Sequence, residues 1–284
     1  HLVDLNKDDI VIVGSGDDAA VIKSQEKDLV HSVDISKINS HFPEDSMPQD
    51  IAYRSIAVAL SDLAAMGAFP SFISIGLTSN ITDLKWYKQF TRGVEEILNE
   101  YQLKLIGGDI TNGEISVCVN VFGYAYEKNI LRSTAKVGDL IYITGPLGEG
   151  RKGLEDWKNN KQTKYTKKFF KPKVDFDKSK YISKYANSCI DISDGLMKDL
   201  SRICKSSEVG AEIIYENIPI TNDIDDLSYG DDYKLCYTCS PEFRDNEFIS
   251  QDFHIGEIKS DTEIILNKGN SSINFKKHGW DSFE

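Results

Sequence analysis

The stretch DIAYRSIAVALSDLAAMGAFPSFISIGL, residues 50–77, joins a helical pattern to a strand pattern. Ile51, Ser55, Val58, Asp62 and Ala65 fall near one stripe of a helix over residues 50–66, with Asp50 placed to cap it. Gly67 is a natural stop, Pro70 lies just beyond, and residues 72–77 read as a strand. The alternation continues outward. Residues 10–13, 19–22 and 29–33 are short β-branched runs, 83–101 is a long helical pattern, 103–106 is a strand entering Gly107-Gly108-Asp109, and 115–124 is a long β run. Lys136-Val137-Gly138-Asp139 is turn chemistry and places a domain boundary near 127–139. Beyond it come a strand at 140–144, a lysine-rich helix-plus-loop region at 152–180, Asp191-Ile192-Ser193-Asp194-Gly195 opening a helix to about 206, and strands at 213–215, 233–238, 255–258 and 263–266. Helices and strands interleave in both halves, so the predicted fold class is α/β (α+β) in two domains, 1–130 and 131–284.

A chain of 284 residues is long enough for two ordinary domains of ~100–200 residues each. Its 45 acidic and 33 basic residues give a net charge of −12, which argues against a general nucleic-acid binder. Phosphate ligands stay open, because a divalent metal inverts the local sign of charge. No apolar run approaches the ~18–20 residues of a membrane span. Residues 1–9 are polar and charged, without a secretory signal, and the chain opens almost directly into a strand, as a sequence lacking its native start would. Five cysteines make no disulfide framework in a chain this large, so a reducing cytoplasm is the expected setting.

The chemistry lies in aspartates placed next to small residues after apolar runs. These are Asp17 and Asp18, Asp34, Asp109, Asp191 and Asp194, and Asp231 and Asp232. Any one of them is also ordinary turn chemistry. Asp62 differs, because it falls on a helix among Leu60, Leu63, Ala64 and Met66, where an unpaired charge is costly and needs a cation. Two readings are open for it, an ion pair with Arg54 or another base, and a metal ligand. Hard oxygen donors on short stems suit Mg²⁺, and several such ions suit a polyphosphate. Gly107-Gly108 and the run 145–150 would let backbone N–H groups approach a phosphate. The chain contains no P-loop pattern, and Gly14-x-Gly16 lacks the third glycine of a dinucleotide fingerprint.

Gly16-Asp17-Asp18-Ala19-Ala20-Val21, Ser61-Asp62-Leu63-Ala64-Ala65-Met66-Gly67-Ala68, Gly107-Gly108-Asp109, Asp191-Ile192-Ser193-Asp194-Gly195-Leu196 and Gly230-Asp231-Asp232-Tyr233-Lys234-Leu235 together resemble the thiamine-monophosphate kinase family, in that family's order, over nearly the whole chain. The resemblance implies a two-domain synthetase-like fold of the aminoimidazole-ribonucleotide-synthetase-like superfamily. It has an N-terminal sheet-forming dimerisation domain and a C-terminal α/β domain completing the active site. It implies ATP-dependent phosphorylation of thiamine monophosphate to thiamine diphosphate by direct in-line transfer, with ATP as co-substrate, several Mg²⁺ ions and a homodimer. Carried over by motif, Asp18, Ser32, Asp34, Asp62, Asp109, Asp191 and Asp194 look like metal ligands. Gly108, Asp109, Arg132 and Ser193 look like ATP contacts, and His41, Asp231 and Trp280 like substrate contacts. Asp62, Asp109 and Asp194 are the expected catalytic carboxylates.

The residues themselves leave alternatives open at three of these positions. Arg132 could brace phosphates or be a surface charge. His41 could bond a phosphate or satisfy its own loop. Trp280 could stack on a cationic ring or plug the core, with Phe275 as a rival. The family pattern has Glu where this chain has Asp231 and again where it has Lys234, and its Pro-x-Pro-Arg stretch is degraded at Lys171-Pro172-Lys173. Cys236-x-x-Cys239 reads as structural, and residues 161–180 as a solvated lysine face. Two rival functions stand beside the kinase. One is another synthetase of the superfamily, of selenophosphate or aminoimidazole ribonucleotide type, and the other is a non-enzymatic nucleotide-binding protein.

Overall fold

Strand β3 (Leu29–Lys37) is polar where a strand is usually apolar. Val30, Ser32, Asp34 and Ser36 alternate with Leu29, His31, Val33, Ile35 and Lys37, and the second set is the exposed one. The computed structural model that shows this describes residues 11–13, 21–22, 26–273 and 279–280. It divides into two compact units, residues 1–63 with 69–125, and residues 64–68 with 126–284.

The first unit runs β1 (Val11–Val13), β2 (Val21–Ile22), β3, α1 (Pro48–Ala65), β4 (Ala68–Thr78), α2 (Leu84–Glu100), β5 (Lys104–Thr111) and β6 (Ser116–Ala125), with the last residues of α1 and the first of β4 counted with the second unit. Strands β1 and β2 form an antiparallel pair, and the other four form a sheet in the order β3-β6-β4-β5. Pro48 starts α1, where its missing N–H is no loss, so Asp50 sits in the first turn and not at the cap. Asp83 does cap α2, accepting from the Lys85 N–H at 2.9 Å. Helix α2 buries Phe90, Gly93, Val94, Ile97 and Leu98, a single stripe at helical spacing. A Cβ on Gly93 would lie 2.0 Å from the Gln49 carbonyl, so this glycine allows the chain to pass close to α1's first turn. Helix α1 is different, buried on nearly every side from Ile51 to Ser61, with Asp62 only half-buried.

The second unit adds β7 (Leu140–Ile143), α3 (Glu149–Lys158), α4 (Lys164–Phe170), α5 (Phe176–Tyr185), β8 (Ala186–Asp191), α6 (Leu196–Ser207), β9 (Gly210–Ile214), α7 (Asp226–Tyr229), β10 (Leu235–Cys239), β11 (Phe253–Lys259), β12 (Ile264–Lys268) and β13 (Ser271–Ile273). Its seven strands are ordered β13-β12-β9-β11-β7-β10-β8. Only β12 and β9 pair in parallel, so the sheet is mixed and the class α+β. Every residue of β7 and β10 is buried, which requires cover on both faces. That accounts for Cys236 and Cys239, which are buried and free, as are Cys189 and Cys204. Residues 161–180 are not one solvated face. They bury Phe169, Phe170 and Phe176 while Lys161, Lys164, Lys167, Lys168, Lys173 and Lys180 stay exposed. No helix among the described residues is long and apolar enough to cross a membrane.

Candidate active site

In the first unit the polar face of β3 meets α1. The Ser32 hydroxyl donates to Asp62 Oδ2 at 2.6 Å, a short charge-assisted bond. Asp34 lies two residues on, on the same face of β3, and accepts from the Ile35 N–H at 2.6 Å. The Arg54 guanidinium, almost fully buried, donates from Nε to the His41 carbonyl at 2.9 Å. His41 in turn accepts the Lys37 N–H on Nδ1 at 3.0 Å. Its ring therefore serves its own turn, and the proton is left on Nε2, facing away from that bond. Asp34 and Asp109 are not at strand ends, as expected from sequence, but inside β3 and β5. These strands are opposite edges of the four-stranded sheet, roughly 14 Å apart along it. Gly108 has a packing reason, since a Cβ there would lie 2.6 Å from the Ile75 carbonyl of the parallel neighbour β4. Asp109 is exposed on this edge and accepts from the Ile110 N–H at 2.9 Å.

In the second unit three segments far apart in sequence are tied together by backbone. Strand β8 ends at buried Asp191. The following loop receives residues 230–233. The Ile192 N–H donates to the Lys234 carbonyl at 2.7 Å, the Asp231 N–H to the Ser193 carbonyl at 2.8 Å, and the Tyr233 N–H to the Ile192 carbonyl at 2.9 Å. The Trp280 N–H donates to the Asp194 carbonyl at 2.9 Å, and the Trp280 carbonyl accepts from Lys198 Nζ. The Trp280 side is 46% exposed, so it is no core plug. Ser193, Asp194, Asp231 and Trp280 thus share one neighbourhood. Arg132 opens a 3-10 turn, exposed, with its carbonyl accepting from Ser207 Oγ at 2.8 Å.

Two carboxylates hold this neighbourhood, Asp199, which the sequence reading passed over, and Asp232, which it named beside Asp231 without giving it a role. Asp199, fully buried in the first turn of α6, accepts the Ser193 and Asp194 N–H groups on Oδ2 at 3.1 and 3.0 Å, and Arg202 on Oδ1 at 2.6 Å. Burial pushes its carboxyl up to about 6 against the pull of Arg202. The signal was present, since Asp199 falls on the apolar stripe of Leu196, Leu200 and Ile203, the same argument that singled out Asp62. Asp232 is buried and accepts the N–H groups of Gly148, Glu149 and Gly150 at 2.9, 3.1 and 3.4 Å. Burial pushes it up to about 8, with the Gly148 and Gly150 N–H groups pulling the other way. The glycine run at 145–150 is therefore not an open phosphate cradle. A carboxylate already fills the helix terminus, because left-handed Gly148 aims its N–H groups there.

The donor set suits Mg²⁺ in kind, being hydroxyl and carboxylate oxygen throughout, without sulfur. Among the described residues no three His, Cys, Asp or Glu side chains stand in ion-holding geometry. Asp18 and Phe275 lie outside the described residues. Asp194 already pairs with Arg202 at 2.6 Å and Lys198 at 3.1 Å.

A mixed α+β chain without a P-loop, rich in strand-borne carboxylates, defines a class: residues 16–125 match the family described as AIR synthase related protein, N-terminal domain. The relatives narrow it. A thiamine-monophosphate kinase from Buchnera aphidicola subsp. Schizaphis graminum (strain Sg) is 42% identical, covering 82% of this chain and 79% of that protein. The thiamine-monophosphate kinase structure from Stenotrophomonas maltophilia K279a superposes with a TM-score of 0.84 at 28% identity, covering 91% of this chain and 92% of that one. AaThiL complexed with AMPPCP and TMP gives 0.80 at 28% identity, covering 90% and 89%. The chain belongs to the thiamine-monophosphate kinase family, and is an enzyme.

Proposed function

We propose a division of labour for the reaction that family membership brings, ATP-dependent phosphorylation of thiamine monophosphate to thiamine diphosphate. Asp34, Asp62 and Asp109, with Ser32 and Asp18, would hold Mg²⁺, as would Asp191 and Asp194. When bound, Mg²⁺ neutralises phosphate oxygens as charge moves between them. Gly108, Asp109, Arg132 and Ser193 would contact ATP, and His41 Nε2, Asp231 and Trp280 the thiamine phosphate. An acceptor phosphate oxygen is already an anion, so no general base is needed and transfer is direct and in line. Alignment and electrostatics then supply most of the barrier reduction. AaThiL holding AMPPCP and TMP together supports a direct transfer over a phosphoenzyme.

The observation that carries this reading is the backbone interlock of 191–195, 230–234 and 279–280, which gathers Ser193, Asp194, Asp231 and Trp280. Asp194 would exchange Lys198 and Arg202 for the ion, so its role is conditional on that exchange. Residues 1–130 would form the ATP- and Mg²⁺-binding and dimerisation domain, and 131–284 would complete the active site, adding Arg132 and Ser193 to the ATP contacts and Asp191 and Asp194 to the metal ligands. Leu29, Val33 and Ile35, all more than half exposed on one face of edge strand β3, support a homodimer formed through that face. Five free cysteines support a reducing cytoplasm. The test is thiamine diphosphate formation from thiamine monophosphate, ATP and Mg²⁺ with the wild type, Asp62→Asn and Asp109→Asn. Loss of turnover in both variants, with unchanged circular dichroism, is expected. Wild-type rates in either would reject its metal role.

A further inference from the structure

The backbone at residues 230–233 is held where it would not settle alone. Gly230, Asp231 and Tyr233 have φ of 77°, 64° and 51°, and for a tyrosine the left-handed region is unusual. Such a conformation persists only when its surroundings impose it. Two backbone bonds, Asp231 to Ser193 and Tyr233 to Ile192, tie one side of the loop. The other side is tied by the Asp232 side chain, whose two oxygens take the three N–H groups of Gly148, Glu149 and Gly150. Those groups open a helix of ten residues, and their direction is set by Gly148 at φ 83°. The helix also presses on Asp231 directly. A Cβ on Gly150 would stand 2.1 Å from the Asp231 carbonyl oxygen, so the first turn of α3 packs against the backbone of that residue.

We infer that Asp232 is a positioning residue, which clamps the start of α3 beneath Asp231 and so aims the Asp231 carboxylate at the substrate. This rests on the reading of Asp231 as a thiamine-phosphate contact. The shorter Asp231, where the family pattern has Glu, makes that aim more demanding, since a side chain one methylene shorter has less reach to correct a misplaced backbone. It also gives Asp232 a use other than stability, and removes the α3 terminus from the candidate phosphate sites.

The decisive experiment compares Asp232→Asn, Asp231→Ala and the double variant in the full chain. An asparagine keeps the shape but places an NH₂ donor against one of the three N–H groups. In Asp232→Asn the KM for thiamine monophosphate should rise roughly tenfold while the KM for ATP stays within about twofold. The double variant should be no worse than Asp231→Ala, because Asp232 acts through Asp231. Hydrogen exchange at the Asp231 and Tyr233 amides should speed up in Asp232→Asn, a readout that needs no substrate. Equal rises in both KM values, additive losses in the double variant, or unchanged amide exchange would each overturn the proposal. If Asp231→Ala leaves KM for thiamine monophosphate alone while amide exchange in Asp232→Asn still speeds up, the substrate contact is what fails, and the aiming role falls with it.

Discussion

Gly230→Ala tests the interlock at its tightest point. An added Cβ would lie 2.2 Å from the Ser193 carbonyl oxygen and 2.7 Å from the Asp194 carbonyl carbon, both well inside contact distance. The backbone there, φ 77° and ψ −156°, belongs to a region that only glycine enters readily, at a cost to other residues of about 1–3 kcal/mol. Relief of the clash requires the two loops to separate, which removes the 2.8 Å bond from the Asp231 N–H to the Ser193 carbonyl, worth about 1 kcal/mol. The total, about 2–4 kcal/mol, corresponds to a fall in melting temperature of roughly 4–16 °C at about 2–4 °C per kcal/mol. Separation by about 1 Å should also cost on the order of a hundredfold in kcat/KM. Gly269→Ala is the control, because that residue has φ 56° and nothing within 4 Å of the added carbon. Thermal melts and steady-state turnover of both variants decide the matter. If Gly230→Ala melts with Gly269→Ala and turns over like the wild type, the interlock is not what holds these residues in place.

Three further expectations follow from other parts of the molecule. Ser32→Ala removes the 2.6 Å donor to Asp62, a bond to a charged group worth about 1.5–3 kcal/mol, and the Mg²⁺ concentration for half-maximal turnover should rise roughly tenfold or more, with Ser32→Thr closer to wild type; an unchanged Mg²⁺ titration would remove Ser32 from the metal site. Val33→Lys or Ile35→Lys, on the exposed face of β3, should convert the proposed dimer to monomer in light-scattering chromatography, and a wild-type mass would move the interface elsewhere. Asp199 and Asp232 keep their protons in the fold up to about 6 and about 8, where the unfolded chain has lost them from 3.8 upward. The folded state therefore binds more protons across that window, and stability falls as pH rises from 4 toward 8, by at most about 1.4 kcal/mol per unit per group. Melts at pH 5, 6, 7 and 8 should show a shallower slope for Asp232→Asn than for the wild type, and coincident slopes would count against a neutral Asp232.

How much was legible beforehand depended on the range of the interaction. The helix over 50–66 emerged as α1, the helical pattern at 83–101 as α2, and the β run at 115–124 as β6, because periodicity is settled within a few residues. Strand β13 escaped, being three residues of Ser271-Ser272-Ile273 that take their strand form by pairing with β12. The lysine stretch, read as helix plus loop, holds three helices, since long charged side chains dilute an apolar period carried by a few phenylalanines. Asp34 and Asp109 were expected at strand ends, but neighbouring strands extend the ladders past them.

The chain by itself determined its class, its carboxylate chemistry and its family likeness, because these reside in residue types and short spacings. Only the tertiary structure decided which groups each carboxylate serves. Asp62 accepts a hydrogen bond from the Ser32 hydroxyl, Asp194 is held by two cations, and Asp232 fills a helix terminus that looked open to phosphate. The physical reason is that a carboxylate's role is set by whichever donors reach it in the fold, and for Asp62 and Asp232 those donors arrive from segments 30 and 84 residues away in the chain.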